Sequence, residues 1–274
     1  MKQVFSGFKV FVPFSKNLGL TILFLVLFLN CKKNFSLNTS STPTNYTYRT
    51  FSSSFESIND FSSFFIVPQN YMNTSSHQLS TEQVHSGTYS HKAWIYGANP
   101  ESTPTQNNNH RGYPTIQFQK VKGGVYHTPC YISFWVWVDM ALIAHSPENQ
   151  WLSFATLTTD STDAWSRTIL VNLDYNGYMH LMHVPLQGEK IWIYQPFTLP
   201  FPQKKWVNIK VYLDTRPKVG YAKVWQDGTL VSYANIADGN GILAQAHFGL
   251  YAAPSVSAGT IYNDDLEIKE VAGE

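Results

Sequence analysis

The sequence predicts an all-β fold, a sandwich or barrel of antiparallel strands, on three observations. Many stretches alternate apolar and polar residues with a period of two, the mark of a half-buried strand. Asn176-Gly177 and Asp227-Gly228 lie between such stretches, where positive φ is cheap for these residues and a hairpin can close. Helical periodicity is almost absent beyond Glu56, so no helices are on hand to cover a parallel sheet.

Composition agrees. Among 274 residues, 43% are hydrophobic and 15% aromatic, which excludes bulk disorder. Charged residues make up only 14% and the formal net charge is +1, too little clustered basic charge for a nucleic-acid partner. Two cysteines exclude a disulfide-stapled mini-fold and a Cys-rich zinc site.

Taken from the N-terminus, Lys2, Lys9 and Lys16 precede an apolar run from Leu18 to Leu29. That is the charged and hydrophobic layout of a secretory signal over residues 1–30, with an apolar run shorter than the ~20 residues that span a bilayer. Residues 31–50 are rich in Ser, Thr and Asn and read as a flexible tether, reaching ~20 Å as a random coil. The folded domain is expected over 51–274, near the first acidic residue, Glu56. From Glu56 onward lie thirteen of the nineteen Lys and Arg and all eighteen Asp and Glu, a net charge of −5. The basic balance of the whole chain therefore comes from its leader and tether.

Strands are expected at Ser80–Val84 and Tyr89–Tyr96 around a turn at His85–Thr88, and then at Thr115–Gln119. Tyr131–Val138 places Ile132, Phe134, Val136 and Val138 on one face and Tyr131, Ser133, Trp135 and Trp137 on the other. Further strands fit Trp151–Thr158, Arg167–Leu173, Tyr178–Val184, Trp206–Asp214, Tyr221–Gln226, Leu230–Ala234, His247–Tyr251 and Tyr262–Val271. Cys130, at the mouth of an apolar strand, reads as a buried and inert thiol.

Two resemblances sharpen this reading. Phe28-Leu29-Asn30-Cys31 resembles a bacterial lipoprotein lipobox, although Asn30 departs from the small residue usual before the cysteine. It implies lipidation at Cys31 and an outer-membrane lipoprotein facing the periplasm or the cell surface. Four stretches in order resemble the concanavalin A-like jelly rolls: Phe55-Glu56 with Val84–Lys92, Tyr131–Asp139, Trp206–Asp214 through Val224–Val231, and His247–Tyr251 with Ile261–Ile268. That superfamily includes lectins, carbohydrate-binding modules and polysaccharide lyases. It implies two curved antiparallel sheets with a concave groove that commonly binds a sugar chain.

Sugar binding needs flat apolar faces flanked by hydrogen-bonding groups. Trp135 and Trp137 are expected to form such a shelf on the concave sheet, unless a loop covers them. A turn at Asn176-Gly177 is expected to align His180 with the aliphatic row Ile169, Val171 and Leu173, leaving His183 in the groove beside Asn172. The resemblance also implies a structural Ca2+ held by Glu56 and Asp264, tying both ends of the domain to the loop at His85-Ser86-Gly87. If the chain is a lyase, Tyr251 and His247 would be its acid and base and Arg111 its carboxylate neutraliser. Against that, Thr115–Gln119 carries no arginine and Trp151–Thr158 carries no Gln-x-His pair. The expected function is glycan binding. In that reading Tyr251 is also a sugar contact; the alternatives are β-elimination on a uronate polymer or adhesion to a protein partner.

Overall fold

The computed structural model describes residues 46–61, 63–64, 74–120, 123–144, 149–193, 199–236 and 238–273. The expected signal, Cys31 and the tether up to residue 45 lie outside the described residues. The unit Thr47–Glu274 is one β-sandwich. Its strands in chain order are β1 Thr50–Ser53, β2 Ser63–Phe64, β3 Ser75–Ser80, β4 Ser90–Ile95, β5 His110–Gly112 and β6 Pro114–Gln117. There follow β7 Tyr126–His127, β8 Cys130–Asp139, β9 Trp151–Thr158, β10 Thr168–Asp174, β11 Met179–Val184 and β12 Ile191–Ile193. The last six are β13 Trp206–Asp214, β14 Tyr221–Gln226, β15 Thr229–Asn235, β16 Ile242–Leu243, β17 Gln245–Ala252 and β18 Gly259–Glu270.

One sheet runs β15-β14-β13-β8-β18-β4-β3, with β1 beside β18. The other runs β12-β11-β10-β9-β17-β6-β2, with β5 beside β17. Every pairing is antiparallel. Strands adjacent in space are often far apart in the chain, the signature of a jelly roll rather than a meander.

Alternation builds the core. Ile132, Phe134, Val136 and Val138 of β8 and Val207, Ile209 and Val211 of β13 are wholly buried from the first sheet. They meet Leu152, Phe154, Val171, Leu181, Phe248 and Leu250 of the second sheet, with Phe134 edge-on to Phe248 at 5.2 Å. Ser232 joins the sheets, its hydroxyl donating to the Ile193 carbonyl and accepting the Leu181 N–H. Cys130 is buried, and burial pushes its thiol pKa upward, as expected of an inert cysteine. Near the start, Arg49 pairs with the buried Glu270 at 3.0 Å and also bonds the carbonyls of Gly123 and Val125, pinning β1 against β18.

One expected strand moved. Ser75–Ser80, not Ser80–Val84, pairs with β4, with Ser80 opposite Ser90. Residues 81–89 then form a loop that contains the expected turn at His85–Thr88 but is longer than it. It is held from a distance. Glu56 Oε1 accepts the N–H groups of Thr88 and Tyr89, and Asp264 Oδ2 accepts those of His85 and Ser86. Glycine suits position 87 because its φ is +70°, and a Cβ there would displace the Glu56 carboxylate that holds the loop.

Candidate functional site

The outward face of the second sheet carries a groove of about 500 Å3. Its floor follows from register. On β17, Ala246, Phe248 and Leu250 point into the core, which leaves Gln245, His247 and Tyr251 on the outside. Opposite them stand Gln117, Thr115 and Arg111 respectively, and cross-strand partners share a face. Tyr113, between Arg111 and Thr115 in the same period-two row, completes the set. A bulge between Phe248 and Tyr251 lets β17 pass from one pairing to the next. Gly249 makes the bulge fit: its φ is +134°, and a Cβ would lie 2.7 Å from the Gly112 carbonyl oxygen and 3.0 Å from the His91 ring.

Rings converge here. His247 lies flat on Tyr113, centroids 3.7 Å apart, with Trp165 at 5.2 Å on a loop above. Tyr251 is edge-on to Trp151 at 5.2 Å and to His247 at 5.9 Å. The Arg111 guanidinium stands 5.9 Å from the Tyr251 ring centre and donates to the carbonyls of Asn107 and Asn109. The Tyr251 hydroxyl accepts the side-chain amides of Asn107 at 3.2 Å and Asn109 at 2.7 Å. Its own O–H is thereby left to donate elsewhere.

Electrostatics set the protonation states. Burial, helped by the nearby Arg111 charge, lowers the His247 pKa to about 3, so its imidazole is neutral near pH 7. Burial likewise pushes the Tyr113 phenol upward, so it stays protonated. Lys190 and Asp163 also line the groove, and Asp163 pairs with Lys120 at 3.7 Å. Thr156, opposite His247 in register, has a buried hydroxyl with no hydrogen-bond partner among the described residues.

Arg111, His247 and Tyr251 are therefore brought together as the sequence grouped them. Trp135 and Trp137 are not with them: they lie on β8, in the opposite sheet from the groove. Alternation correctly placed both indoles on the outward face, but which sheet forms the groove is not written in a single strand. Trp135 is covered by the 81–89 loop, with His85 stacked on it at 3.9 Å and 17°, and Trp137 is edge-on to Tyr262. His183 is also misplaced by the sequence reading. It pairs with Ile169 on the core-facing row, at 3% exposure, and its Nε2 meets Asp238 at 3.0 Å. The register instead sets His180 opposite Asn172, in the row that continues to Leu170 and Met182 of the groove.

Glu56 and Asp264 do meet the same loop, but through N–H groups. Asp264 is wholly buried, and its two oxygens accept the amides of His85, Ser86 and Asp265. Asp265 binds the His85 ring and the Ser86 hydroxyl, both at 2.6 Å. Amide hydrogens aim positive dipole ends at the oxygens a cation would need, so this donor set does not fit a calcium ion. Among the described residues, no three His, Cys, Asp or Glu side chains are arranged to hold a metal.

Tyr113, Trp151, Thr156 and Trp165 were not anticipated. The alternation 111-113-115-117 could have given Tyr113. Nothing local signals Trp165, which sits in an irregular loop.

No protein-family model matches the chain, and no curated protein sequence matches it. Among solved structures the chain is similar to the cellulose induced protein Cip1, at 16% identity and a TM-score of 0.53, covering 81% of this chain and 99% of that one. It is also similar to an endo-beta-1,4-glucuronan lyase from the fungus Trichoderma reesei, at 13% identity, TM-score 0.48, 73% of this chain and 89% of that one. The alginate lyase Aly36B is a third, at 10% identity, TM-score 0.42, 74% and 99%. The Cip1 likeness, with the sheet order above, defines the class: an all-β, two-sheet antiparallel jelly-roll sandwich.

Proposed function

We propose that this chain binds a glycan in the groove of the second sheet, as an extracytoplasmic protein held to the membrane through Cys31. The observation that carries the reading is one surface on which Tyr113, Trp151, Trp165 and Tyr251 surround Arg111 and His247. Aromatic faces take the C–H side of pyranose rings, while Arg111, Gln117 and the Asn107–Asn109 pair supply planar polar groups. Arg111 suits the carboxylate of an acidic sugar, which a guanidinium can engage in bidentate fashion. The test is retention on a glycan array. Binding weakened by Arg111→Ala and Tyr251→Phe supports the reading, and no retained glycan refutes it.

A second reading, β-elimination on a uronate polymer, is favoured by the Tyr251 hydroxyl seated between two amide donors beside a neutral His247. A base would take the proton α to the carboxylate while Arg111 neutralises the charge that develops there. A double bond forms as the bond to the leaving oxygen breaks, and that oxygen receives a proton from Tyr251. The α proton would pass to the neutral His247 imidazole, a weak base with its pKa at about 3, while Tyr251 gives up its own proton, and exchange with water would restore both groups. A rise in absorbance of the unsaturated product, abolished by Tyr251→Phe, would make the protein a lyase. The anchor is tested separately: radiolabelled palmitate should enter the full-length protein in cells, and Cys31→Ser should abolish it.

A further inference from the structure

We infer that the His247 end of the groove is a one-ring sugar subsite, in which Trp165 is the stacking wall and Asp160 the residue that positions it. This inference rests on the glycan-binding reading and assigns a part of it.

Its starting point is the backbone. Trp165 and Arg167 have φ of +50° and +55°, the left-handed region that side chains disfavour. Such residues persist only where their surroundings over-determine them, and they cluster at functional sites. Here the surroundings are explicit. The Asp160 carboxylate accepts the N–H of Thr162 at 2.8 Å and both the N–H and the hydroxyl of Ser166 at 2.9 Å. The Thr158 hydroxyl donates to the Ser166 carbonyl at 2.6 Å. From the floor of the groove, the Gln245 side-chain amide donates to the carbonyls of Asp160 and Thr162, and Gln117 donates to the Gln245 side-chain oxygen. The loop is thus bolted to the sheet on both sides of Trp165.

What the bolts hold is an indole inclined 45° to the His247 ring, half-buried and lining the groove. Within the core of the protein that strain would serve no purpose, since Trp165 joins no part of the central cluster. The second observation is the Thr156 hydroxyl, 5% exposed as a residue, lining the same end of the groove and without a hydrogen-bond partner among the described residues. A buried, unpaired hydroxyl calls for a partner. A pyranose ring stacked on Trp165 would cover that face and bring hydroxyls at its edge to the same end of the groove.

The experiment measures affinity by calorimetry for alginate, polygalacturonate and a neutral β-glucan. The proteins are the wild type, Trp165→Ala, Trp165→Phe, Asp160→Ala, the Asp160→Ala/Trp165→Ala double variant and Arg111→Ala. For a polymer the wild type binds, Trp165→Ala should weaken binding about tenfold, and Trp165→Phe should restore it to within about threefold, as loss and partial rescue of an aromatic stack require. Asp160→Ala should also weaken binding. The double variant should bind no more weakly than Trp165→Ala, because Asp160 acts through Trp165 and their effects are not additive. Full additivity overturns the positioning role. If Arg111→Ala weakens binding and Trp165→Ala does not, the groove binds glycans but the subsite is wrong. If the wild type binds none of the three, the glycan reading fails and the subsite with it. Melting curves of every variant separate unfolding from loss of contact.

Discussion

Acidification should weaken this fold through its buried histidines, and the size of the effect follows from their surroundings. Burial lowers the His247 pKa to about 3 and the His180 pKa to about 4, against 6.5 in an unfolded chain. Between those limits the unfolded chain binds protons that the folded chain refuses, so stability is full above 6.5 and falls as the pH drops. From about pH 7.5 to about pH 4.5 the difference spans roughly two pH units per residue, or about 2.7 kcal/mol each at 1.36 kcal/mol per unit. His91 and His110, also lowered by burial, act with the same sign. Asp264 acts against them. Burial raises its pKa to about 6 from 3.8, so its protonation below pH 6 favours the folded state and returns about 2 kcal/mol over the same range. The histidines win by about 3 kcal/mol. Urea titrations at the two pH values measure the difference, and His247→Gln should take about 2.7 kcal/mol off it, which removes most of the net effect, while leaving the folded baseline intact. A protein equally stable at both pH values, or more stable at the lower one, refutes the assignment of neutral, desolvated histidines.

Three further outcomes follow from the geometry. Gly249→Ala should destabilise the fold by about 2 kcal/mol or more and reduce groove binding, because a methyl group there meets the Gly112 carbonyl at 2.7 Å; an unchanged melting temperature would show that β17 can shift away. Phe248→Ala should cost about 3–5 kcal/mol by opening a cavity against Phe134, read from the urea midpoint at unchanged slope. Chelation should leave the melting temperature unchanged, since N–H groups already occupy Asp264 and Glu56; a drop on adding chelator would restore a cation to that loop.

The strands were legible because alternation is a local property. Trp151–Thr158, Trp206–Asp214 and Tyr221–Gln226 have the bounds their patterns predict. Arg111, His247 and Tyr251 were grouped through the resemblance to the jelly-roll lyases, and the pairing of β17 with β5 and β6 brings them to one face. The face of His183 was not legible, because it depends on the register across the Asn176-Gly177 turn, and a shift of one residue exchanges the two faces of a strand. The turn at His85–Thr88 was legible, but the full length of the 81–89 loop and the end of β3 at Ser80 were not. The loop's hydrogen bonds come from Glu56, Asp264 and Asp265, partners as distant as 180 positions in sequence.

By itself, then, the amino-acid order determined most of the strands, the buried rows of strands such as β8 and β13, and the all-β class, since each depends on neighbours two residues apart. Only the tertiary structure decided which sheet carries the groove, that Trp135 is roofed by His85 while Trp165 stands at the site, and that Asp264 holds amides. Those outcomes depend on which strands lie side by side and which loop folds over which face. Such contacts join residues far apart in the chain, and no local period encodes them.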